Sequence, residues 1–363
     1  MQSTPVMNTP VVTALAAYVP PAVPFQQWLQ IEEKLHATAL TGWPRLVYSP
    51  WFAAYGLDLQ HLTAPPEDRL SASAKVAPIA GFVPIEQRHD LSGLAAHVAL
   101  AICPSSGSGA PQVGAVIFCH SSLNEHVSTT TAGRLCAVLG EHPFSFSIAQ
   151  QQGASVFSAL RLASDLLFAE AELHAVLIVA AEKWCHPFAR RIGRWTLQGD
   201  AAGAMLLERG SPSTLGLRLL ATAVQPLCRA DAPFRLPVSL IDTNAIFARS
   251  LIALIDTLLR QHGLRPSDIA AVIAHRVNRP LIDAVSQQLG LPQGYRVADR
   301  RAYLGAAEFI VRLAETLNTF QFGQGALLLA WGVGLGGYVS CMLLEVRGTP
   351  ALRFVDTSPT DPS

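Results

Sequence analysis

The segment from Ala154 to Leu173 constrains the fold of this chain more than any other. It reads ASVFSALRLASDLLFAEAEL, and its first three turns are apolar on nearly every side, with Ala and Ser where close packing is required. A helix of this kind is buried on most of its faces, as happens inside a large layered protein. The segment therefore predicts a central helix that other layers of structure cover.

Short apolar runs around this helix predict buried strands. Val113–Cys119, Phe144–Ala149, Ala175–Ala181 and Ala201–Leu207 are almost continuous in apolar residues, as in a sheet covered on both faces. The same alternation returns in the second half of the chain. Strands alternating with helices predict an α/β fold with covered sheets. The elements predicted there are helices at Asn244–Gln261, Arg279–Leu289 and Ala306–Asn318, a strand at Ile269–His275, and two strands between Leu327 and Val346.

The length of the chain suits two domains. At 363 residues each half can bury a core of its own, and the strand and helix pattern restarts near Gly210. We therefore divide the chain into an N-terminal half at 1–210, a C-terminal half at 211–348 and a flexible tail at 349–363, which ends TSPTDPS.

Charge and composition exclude several functions. The 26 basic and 26 acidic residues balance, which gives no electrostatic basis for binding nucleic acid or an anionic membrane. The apolar runs are too short to span a bilayer, and no signal peptide precedes them, so we expect a cytoplasmic protein. The six cysteines show no zinc-binding spacing. Arg190, Arg191 and Arg194 are interpreted as a solvated basic face, with docking of an acidic partner as the alternative.

Three glycine- or histidine-containing segments follow in order. Gly199–Ala204 reads GDAAGA and leads into an apolar strand ending at Glu208. Ile269–Gly290 reads IAAVIAHRVNRPLIDAVSQQLG, a strand, a polar HRVN turn and a helix. Trp331–Gly337 reads WGVGLGG between two strands.

Together these segments resemble the thiolase-like superfamily, and its ketoacyl synthase III branch in particular. They are similar to that branch's GDGAGA strand, its strand–HQAN–helix segment and its C-terminal glycine-rich loop, and the resemblance extends from about residue 11 to residue 347. It implies two similar α/β halves in an α-β-α-β-α layered architecture. It also implies a dimer.

The resemblance implies a definite chemistry. A Cys at the N-terminus of the central helix takes the acyl group, where the helix dipole and backbone N–H groups favour thiolate and oxyanion. A His and an Asn then donate hydrogen bonds to the thioester oxygen of malonyl-carrier protein and stabilise the enolate. In related branches a second His, in a motif like GHLGAAD, replaces that Asn. The resemblance places His275 and Asn278 on the active-site His and its companion Asn.

This sequence departs from the family at the Cys and at the second donor. Alignment back from the helix puts Gly153 at the Cys position, and alignment forward from Phe146 puts Gln152 there. Ser155 would substitute only if the turn shifts. Tyr303 replaces the His of the GHLGAAD-like segment, and a phenol donates a hydrogen bond but is a poor base at neutral pH.

Another thiol does not obviously replace the missing one. Cys119 stands next to His120, but adjacent residues on a strand point to opposite faces of the sheet. We therefore interpret Cys119 as a buried structural residue.

Two functions remain open. The first is an enzyme acting on acyl-carrier-protein or acyl-coenzyme A thioesters without an acyl-enzyme, by direct acyl transfer with His275 as base or by malonyl decarboxylation. Condensing enzymes whose Cys is replaced by Gln act as decarboxylases, which is a role Gln152 would fill. The second is a non-catalytic partner subunit of a Cys-bearing homologue, in a heterodimer and not a homodimer. Both belong to fatty-acid-like or polyketide metabolism.

Further residues are candidates for substrate binding. The amides around Gly336 and Gly337 would hold the enolate oxygen, and Arg276 and Arg279 would contact a pantetheine phosphate or an acidic carrier protein. We expect no metal and no cofactor besides the thioester substrate, which is carried on phosphopantetheine or coenzyme A.

Overall fold

The structure is a computed structural model. The part of the chain that it describes comprises residues 9–24, 27, 82–104, 112–124, 130–140, 143–184, 190–192, 196–227, 240–275, 279–292, 302–334 and 337–356.

The first half of the chain alternates strands and helices. In order they are β1 (Val11–Tyr18), β2 (Ala22–Pro24), β3 (Phe82–Pro84), α1 (Leu91–Ile102), β4 (Ala115–His120), α2 (Thr131–Leu139), β5 (Phe144–Ala149), α3 (Ser155–Ala169), β6 (Ala175–Glu182), β7 (Arg191–Ile192), β8 (Thr196–Gln198) and β9 (Ala201–Glu208).

The second half repeats the alternation. Its elements are β10 (Leu217–Pro226), α4 (Leu240–Gln261), β11 (Ile269–Ala274), α5 (Arg279–Leu289), β12 (Ala302–Tyr303), α6 (Glu308–Thr319), β13 (Leu327–Gly334), β14 (Tyr338–Val346) and β15 (Ala351–Phe354). Short 3-10 turns at Gln152–Ala154 and Gly305–Ala307 precede α3 and α6.

The main sheet joins both halves. Its strands run in the order β11-β13-β14-β10-β1-β9-β6-β4-β5, and β15 pairs with β1 outside this path. The halves meet where β1 and β10 pair antiparallel at Val11–Arg218 and Val12–Leu217 only. Beyond that point the two groups of strands diverge, which leaves room for helices between them.

The central layer consists of α3 and α6. Helix α3 packs against β4, β5 and β6 on one side and against β10 and β14 on the other, while α6 packs against β1, β9 and β11. Helices α1 and α2 cover the outer face of the first group of strands, and α4 and α5 lie beyond the second group. The α-β-α-β-α order that the sequence resemblance implies is therefore observed.

Small residues allow the central layer to pack this closely. Ala159 and Ala163 of α3 are fully buried in one cluster with Phe309 and Ile310 of α6. Gly203 of β9 has a similar role, since a Cβ there would lie 2.8 Å from side-chain atoms of Ile310. Strand β6 is buried at every position, as expected for a strand covered on both faces.

Helix α2 shows how local sequence sets the ends of a helix. The Thr130 hydroxyl accepts a hydrogen bond from the Gly133 N–H at 3.1 Å and caps the N-terminus. The helix ends at Gly140, whose φ of 77° lies in the left-handed region that a residue with a Cβ adopts at a cost.

The tail predicted from residue 349 onwards is ordered at its start. Ala351–Phe354 form β15, which pairs parallel with Ala14–Ala17 of β1. The strand occupies the edge of β1 that β10 leaves unpaired. Its backbone N–H and C=O groups therefore have hydrogen-bond partners on β1, which the sequence of the tail did not predict.

The GDAAGA segment forms the turn into β9, and its Asp200 takes part in a buried ion pair. Both carboxylate oxygens of Asp200 accept hydrogen bonds from the Arg190 guanidinium, at 2.7 and 2.9 Å, and also from the backbone N–H groups of Trp184 and Glu86. Arg190 is only 3% exposed, so its interpretation as part of a solvated basic face is wrong. The side chains of Arg191 and Arg194 lie outside the described residues.

Among the described residues, no helix combines the length and apolar character needed to cross a bilayer.

We expect Arg190→Ala to lower the free energy of unfolding by about 3–5 kcal/mol, because it leaves the buried Asp200 carboxylate without its cation. Denaturant unfolding measures this loss. Arg260→Ala is the matched control, since the Arg260–Asp256 pair is 70% and 50% exposed and contributes only about 0–1 kcal/mol. Equal losses in the two variants would contradict the assignment.

Candidate functional site

A strained turn leads from β5 into α3. Gln150 and Gln152 have φ values of 66° and 46°, in the left-handed region that non-glycine residues rarely adopt. Each such residue costs on the order of 1–3 kcal/mol and persists only when its surroundings hold it. The Gln152 N–H donates to the Ser121 hydroxyl at 3.1 Å, and the Gln151 carboxamide accepts a hydrogen bond from the Ser158 hydroxyl at 2.6 Å. This turn delivers Gly153 to the N-terminal end of α3.

Gly153 lies in contact with two polar side chains. A Cβ at this position would be 2.7 Å from His275 Nε2, 2.9 Å from the Val333 carbonyl oxygen and 3.0 Å from Tyr303 Oη. Of the two residues that sequence alignment offers for the Cys position, Gly153 is therefore the one whose missing side chain would point at His275. The surrounding atoms fill the space that a Cys side chain would need.

His275 follows the last residue of β11. Its N–H donates to the Trp331 carbonyl at 3.1 Å, which continues the pairing with β13. The side chain is buried and meets Tyr303 edge-on, with ring centroids 4.4 Å apart at 85°. Burial, with a smaller contribution from the Arg312 charge, lowers the pKa of His275 to about 3, so its ring is neutral at neutral pH. Within the described residues, neither ring nitrogen has a hydrogen-bond partner.

Tyr303 connects the second donor position to the central helix. Its buried Oη accepts a hydrogen bond from the Gly153 N–H at 2.9 Å and approaches the Val333 carbonyl at 3.5 Å. The longer contact is weak, because N–H···O and O–H···O bonds are normally shorter than 3.2 Å. Burial raises the pKa of the phenol well above its ordinary value, so Tyr303 stays neutral and able to donate.

Glu182 links the segments that carry the site, and the sequence analysis did not identify it as a site residue. Its carboxylate is fully buried and accepts hydrogen bonds from the N–H groups of Ser121, Ser122 and Ala306, at 3.1, 2.7 and 3.0 Å. It thereby connects the ends of β4 and β6 to the turn that follows Tyr303. Burial raises the pKa of Glu182. The only signal in the sequence is an acid at the end of the apolar run AVLIVAAE.

The GDAAGA turn is hydrogen-bonded to the backbone of Tyr303. The Gly199 N–H donates to the Tyr303 carbonyl at 2.9 Å. A Cβ at Gly199 would lie 2.6 Å from Pro84, so this position needs glycine for a close approach of the two segments.

A narrow pocket opens between the site and α6. Its water-accessible volume is about 10 Å³, roughly the room that one water molecule needs. The residues that line it are Gly153, Phe157, Ile273, Ala274, His275, Glu308, Phe309, Arg312, Trp331 and Gly332.

The two other nucleophile candidates lie deeper in the core. The Ser155 hydroxyl donates to the Gln152 carbonyl at 2.6 Å and does not line the pocket. Cys119 is fully buried and interacts with Ser155, and burial raises the pKa of its thiol, which keeps it protonated. Its neighbour His120 instead contacts the Ser122 carbonyl at 2.8 Å through Nδ1. Cys119 is buried as expected for a structural residue.

Several predicted site residues are placed only in part. Arg276, Asn278 and Gly336 lie outside the described residues, and Arg279 begins α5 without a described side chain. Gly337 lies in the turn between β13 and β14 with a φ of 103°, and its N–H donates to the Gly334 carbonyl at 2.8 Å.

Comparison with known proteins supports the resemblance. Residues 259–346 match the family model of the 3-oxoacyl-[acyl-carrier-protein] synthase III C terminal. The chain is 26% identical over 284 residues to the beta-ketoacyl-[acyl-carrier-protein] synthase III of Paramagnetospirillum magneticum, covering 70% of this chain and 85% of that protein.

Solved structures show the same architecture. The acyltransferase ChlB3 superimposes with a TM-score of 0.65 at 21% identity, covering 94% of this chain and 99% of that one. FabH, the 3-oxoacyl-(acyl carrier protein) synthase III from Pseudomonas aeruginosa, gives 0.65 at 20% identity, covering 94% and 98%.

The fold is therefore thiolase-like, with layered α and β elements in two halves. The matched C-terminal segment and the curated relative are both similar to ketoacyl synthase III proteins.

We expect Gly153→Ala to lower the free energy of unfolding by about 1–3 kcal/mol, because its methyl group would press on His275, Tyr303 and the Val333 carbonyl. Urea unfolding measures the change. Gly323→Ala serves as control, since nothing lies within 4 Å of a Cβ there. A Gly153→Ala protein as stable as the control would show that the site has room for a side chain.

The buried neutral His275 makes stability depend on pH. Unfolded, it takes up a proton near its ordinary pKa of 6.5, whereas the folded protein binds that proton only near pH 3. The stability that this group contributes is therefore complete above pH 6.5 and declines as the pH falls towards 3, by up to about 1.36 kcal/mol per pH unit. His275→Gln removes the titration.

Urea unfolding of both proteins at several pH values tests this. Below pH 6.5 the wild-type protein should lose stability more steeply than His275→Gln. Parallel curves would mean that His275 is not buried in its neutral form.

Proposed function

We propose that this protein binds malonyl thioesters and decarboxylates them without forming an acyl-enzyme. The proposal depends chiefly on one observation: His275 Nε2 and Tyr303 Oη converge on Gly153, a position with no side chain. Two hydrogen-bond donors directed at one developing oxyanion stabilise an enolate.

The chemistry of this step is simple. The bond between the α-carbon and the carboxylate of the malonyl group breaks, and carbon dioxide leaves. The bonding electron pair moves into an enolate whose oxygen accepts hydrogen bonds from the His275 N–H and the Tyr303 O–H. A proton from water then reaches the α-carbon, which leaves an acetyl thioester.

The state of both side chains fits a role as donors. The Gly153 N–H donates to the Tyr303 oxygen, so the phenol hydrogen remains for another acceptor, and its present contact to Val333 is long. With a pKa of about 3, His275 is a weak base but a serviceable neutral donor. This favours decarboxylation over direct acyl transfer, which would need His275 to remove a proton.

An acyl-enzyme has no support at this site. Gly153 carries no nucleophile, its N–H is already bonded to Tyr303, and Ser155 and Cys119 have their polar atoms in the core. We also propose that Gln152 contributes through its strained backbone, which positions Gly153, since Gly153 is the residue that faces His275.

The thioester would arrive on an acyl carrier protein or coenzyme A. The relatives are named as acyl-carrier-protein synthases, which favours the carrier protein. We retain Arg276, Arg279, Asn278 and the amide of Gly336 as proposed substrate contacts, in a protein that works in the cytoplasm on fatty-acid-like or polyketide substrates. The Gly337 N–H already donates to the Gly334 carbonyl, so we do not retain it as a donor to substrate.

A time course of purified protein with malonyl-loaded carrier protein, followed by mass spectrometry, tests the proposal. We expect malonyl to become acetyl on the carrier protein with no added mass on this chain. His275→Ala and Tyr303→Phe should each slow the reaction by about 10²–10³-fold, the usual loss for one oxyanion donor.

His262→Ala, an exposed histidine after α4, is the matched control and should keep the wild-type rate. An acyl adduct on this chain, or turnover that survives both site substitutions, would rule out the mechanism. Absence of turnover with malonyl and acyl thioesters alike would rule out the enzyme.

A partner subunit is the second candidate, favoured by the exposed edge of the sheet. Strand β5 is the last strand of the main sheet, and its Phe144 is 67% exposed. An open apolar edge of this kind is suited to pairing with another chain. Light scattering of the protein alone and co-expressed with a Cys-bearing homologue distinguishes a homodimer from a heterodimer, and a stable heterodimer without turnover would establish this candidate.

A further inference from the structure

The pocket beside Gly153 brings three polar side chains into the centre of the molecule. His275 enters from the end of β11, and Glu308 and Arg312 enter from the first turns of α6. Glu308 is 2% exposed and Arg312 8%, although charged residues are rarely buried to this degree unless they are paired or have a function.

The two charged residues share one face of α6. They are four positions apart, so they lie one helical turn from each other. Glu308 also accepts a hydrogen bond from the Leu304 N–H at 3.0 Å, which fixes it to the turn next to Tyr303. Arg312 lines the same pocket as His275, and its charge adds to the effect of burial in lowering the pKa of that ring. One turn of α6 is thus coupled to both proposed donors.

The size and lining of the pocket fit one small polar ligand. Its volume of about 10 Å³ is close to the minimum for a water molecule. A buried water normally needs two to four polar partners. His275, Glu308 and Arg312 supply them, and the His275 ring nitrogens have no other partner among the described residues.

We propose that this pocket binds one water molecule between His275 and the Glu308 and Arg312 side chains, and that this pair positions His275 through it. The water would give the imidazole a fixed hydrogen-bond partner, which sets its tautomer and ring orientation. The Arg312 guanidinium opposes a second positive charge on the ring. The significance of this for catalysis rests on the proposed function; the water site itself does not.

A crystal structure of the whole chain at high resolution tests the site directly. We expect one ordered water within hydrogen-bond distance of a His275 ring nitrogen and of Glu308 or Arg312. A dry pocket, in a map that shows other buried waters, would overturn the proposal whether or not the protein has activity.

Titration of His275 by NMR tests the positioning role. Arg312→Met should raise the titration midpoint of His275, whereas Arg312→Lys, which keeps the charge, should leave it near the wild-type value. Glu315→Gln, on the same helix but outside the pocket, is the matched control for charge removal. An unchanged midpoint in Arg312→Met would overturn the positioning role.

If the wild-type protein turns over malonyl thioesters, Glu308→Gln should lower kcat by about 10-fold with little change in KM, since it disturbs the donor and not substrate binding. An unchanged kcat would contradict the inference. If the wild-type protein has no activity but the water and the titration shift are found, the proposed function fails and the water site stands.

Discussion

The hydrogen bond from the Gly153 N–H to the Tyr303 phenol is the interaction on which the candidate site depends. It joins the start of the central helix α3 to the turn before α6, over 150 residues of sequence. The bond is 2.9 Å long, Gly153 has no Cβ that would press on the phenol, and Tyr303 also meets the His275 ring edge-on. Glu182 connects the turn before α6 to the segment after β4, because its carboxylate accepts hydrogen bonds from the N–H groups of Ala306, Ser121 and Ser122. Buried polar groups stabilise a protein core only when they are hydrogen-bonded. The parts of the site whose polar groups are hydrogen-bonded are therefore rigid.

Much of the fold could be predicted from sequence because it depends on apolar patterns. The apolar runs and their alternation with helices predict β4, β5, β6 and β9 within two residues, and the limits of α5, β13 and β14 agree closely. The HRVN segment predicts that His275 lies at the end of a strand, and the resemblance to a GHLGAAD-like segment implies that Tyr303 occupies the second donor position. The turn before the central helix contains no Cys, which is read directly from the sequence.

The remaining features depend on contacts between distant segments. The turn that makes Gly153 face His275 has two residues in the left-handed region, and both are glutamines, which the sequence does not mark for that conformation. The sequence alone predicts a surface position for Arg190, because it does not show that Asp200 lies beside it in the fold. Likewise, the sequence does not show that β15 pairs with an edge of β1. Glu308 and Arg312 lie on a helix that the sequence predicts, but their burial follows from the packing of that helix against β1, β9 and β11.

A structure with a bound malonyl-pantetheine analogue whose thioester is replaced by an amide would test the central claim most directly. The account predicts that the carbonyl oxygen next to the malonyl group lies within hydrogen-bond distance of both His275 Nε2 and Tyr303 Oη, with no covalent bond to the protein. A carbonyl oxygen held elsewhere, or an analogue that does not enter the site at saturating concentration, would contradict it.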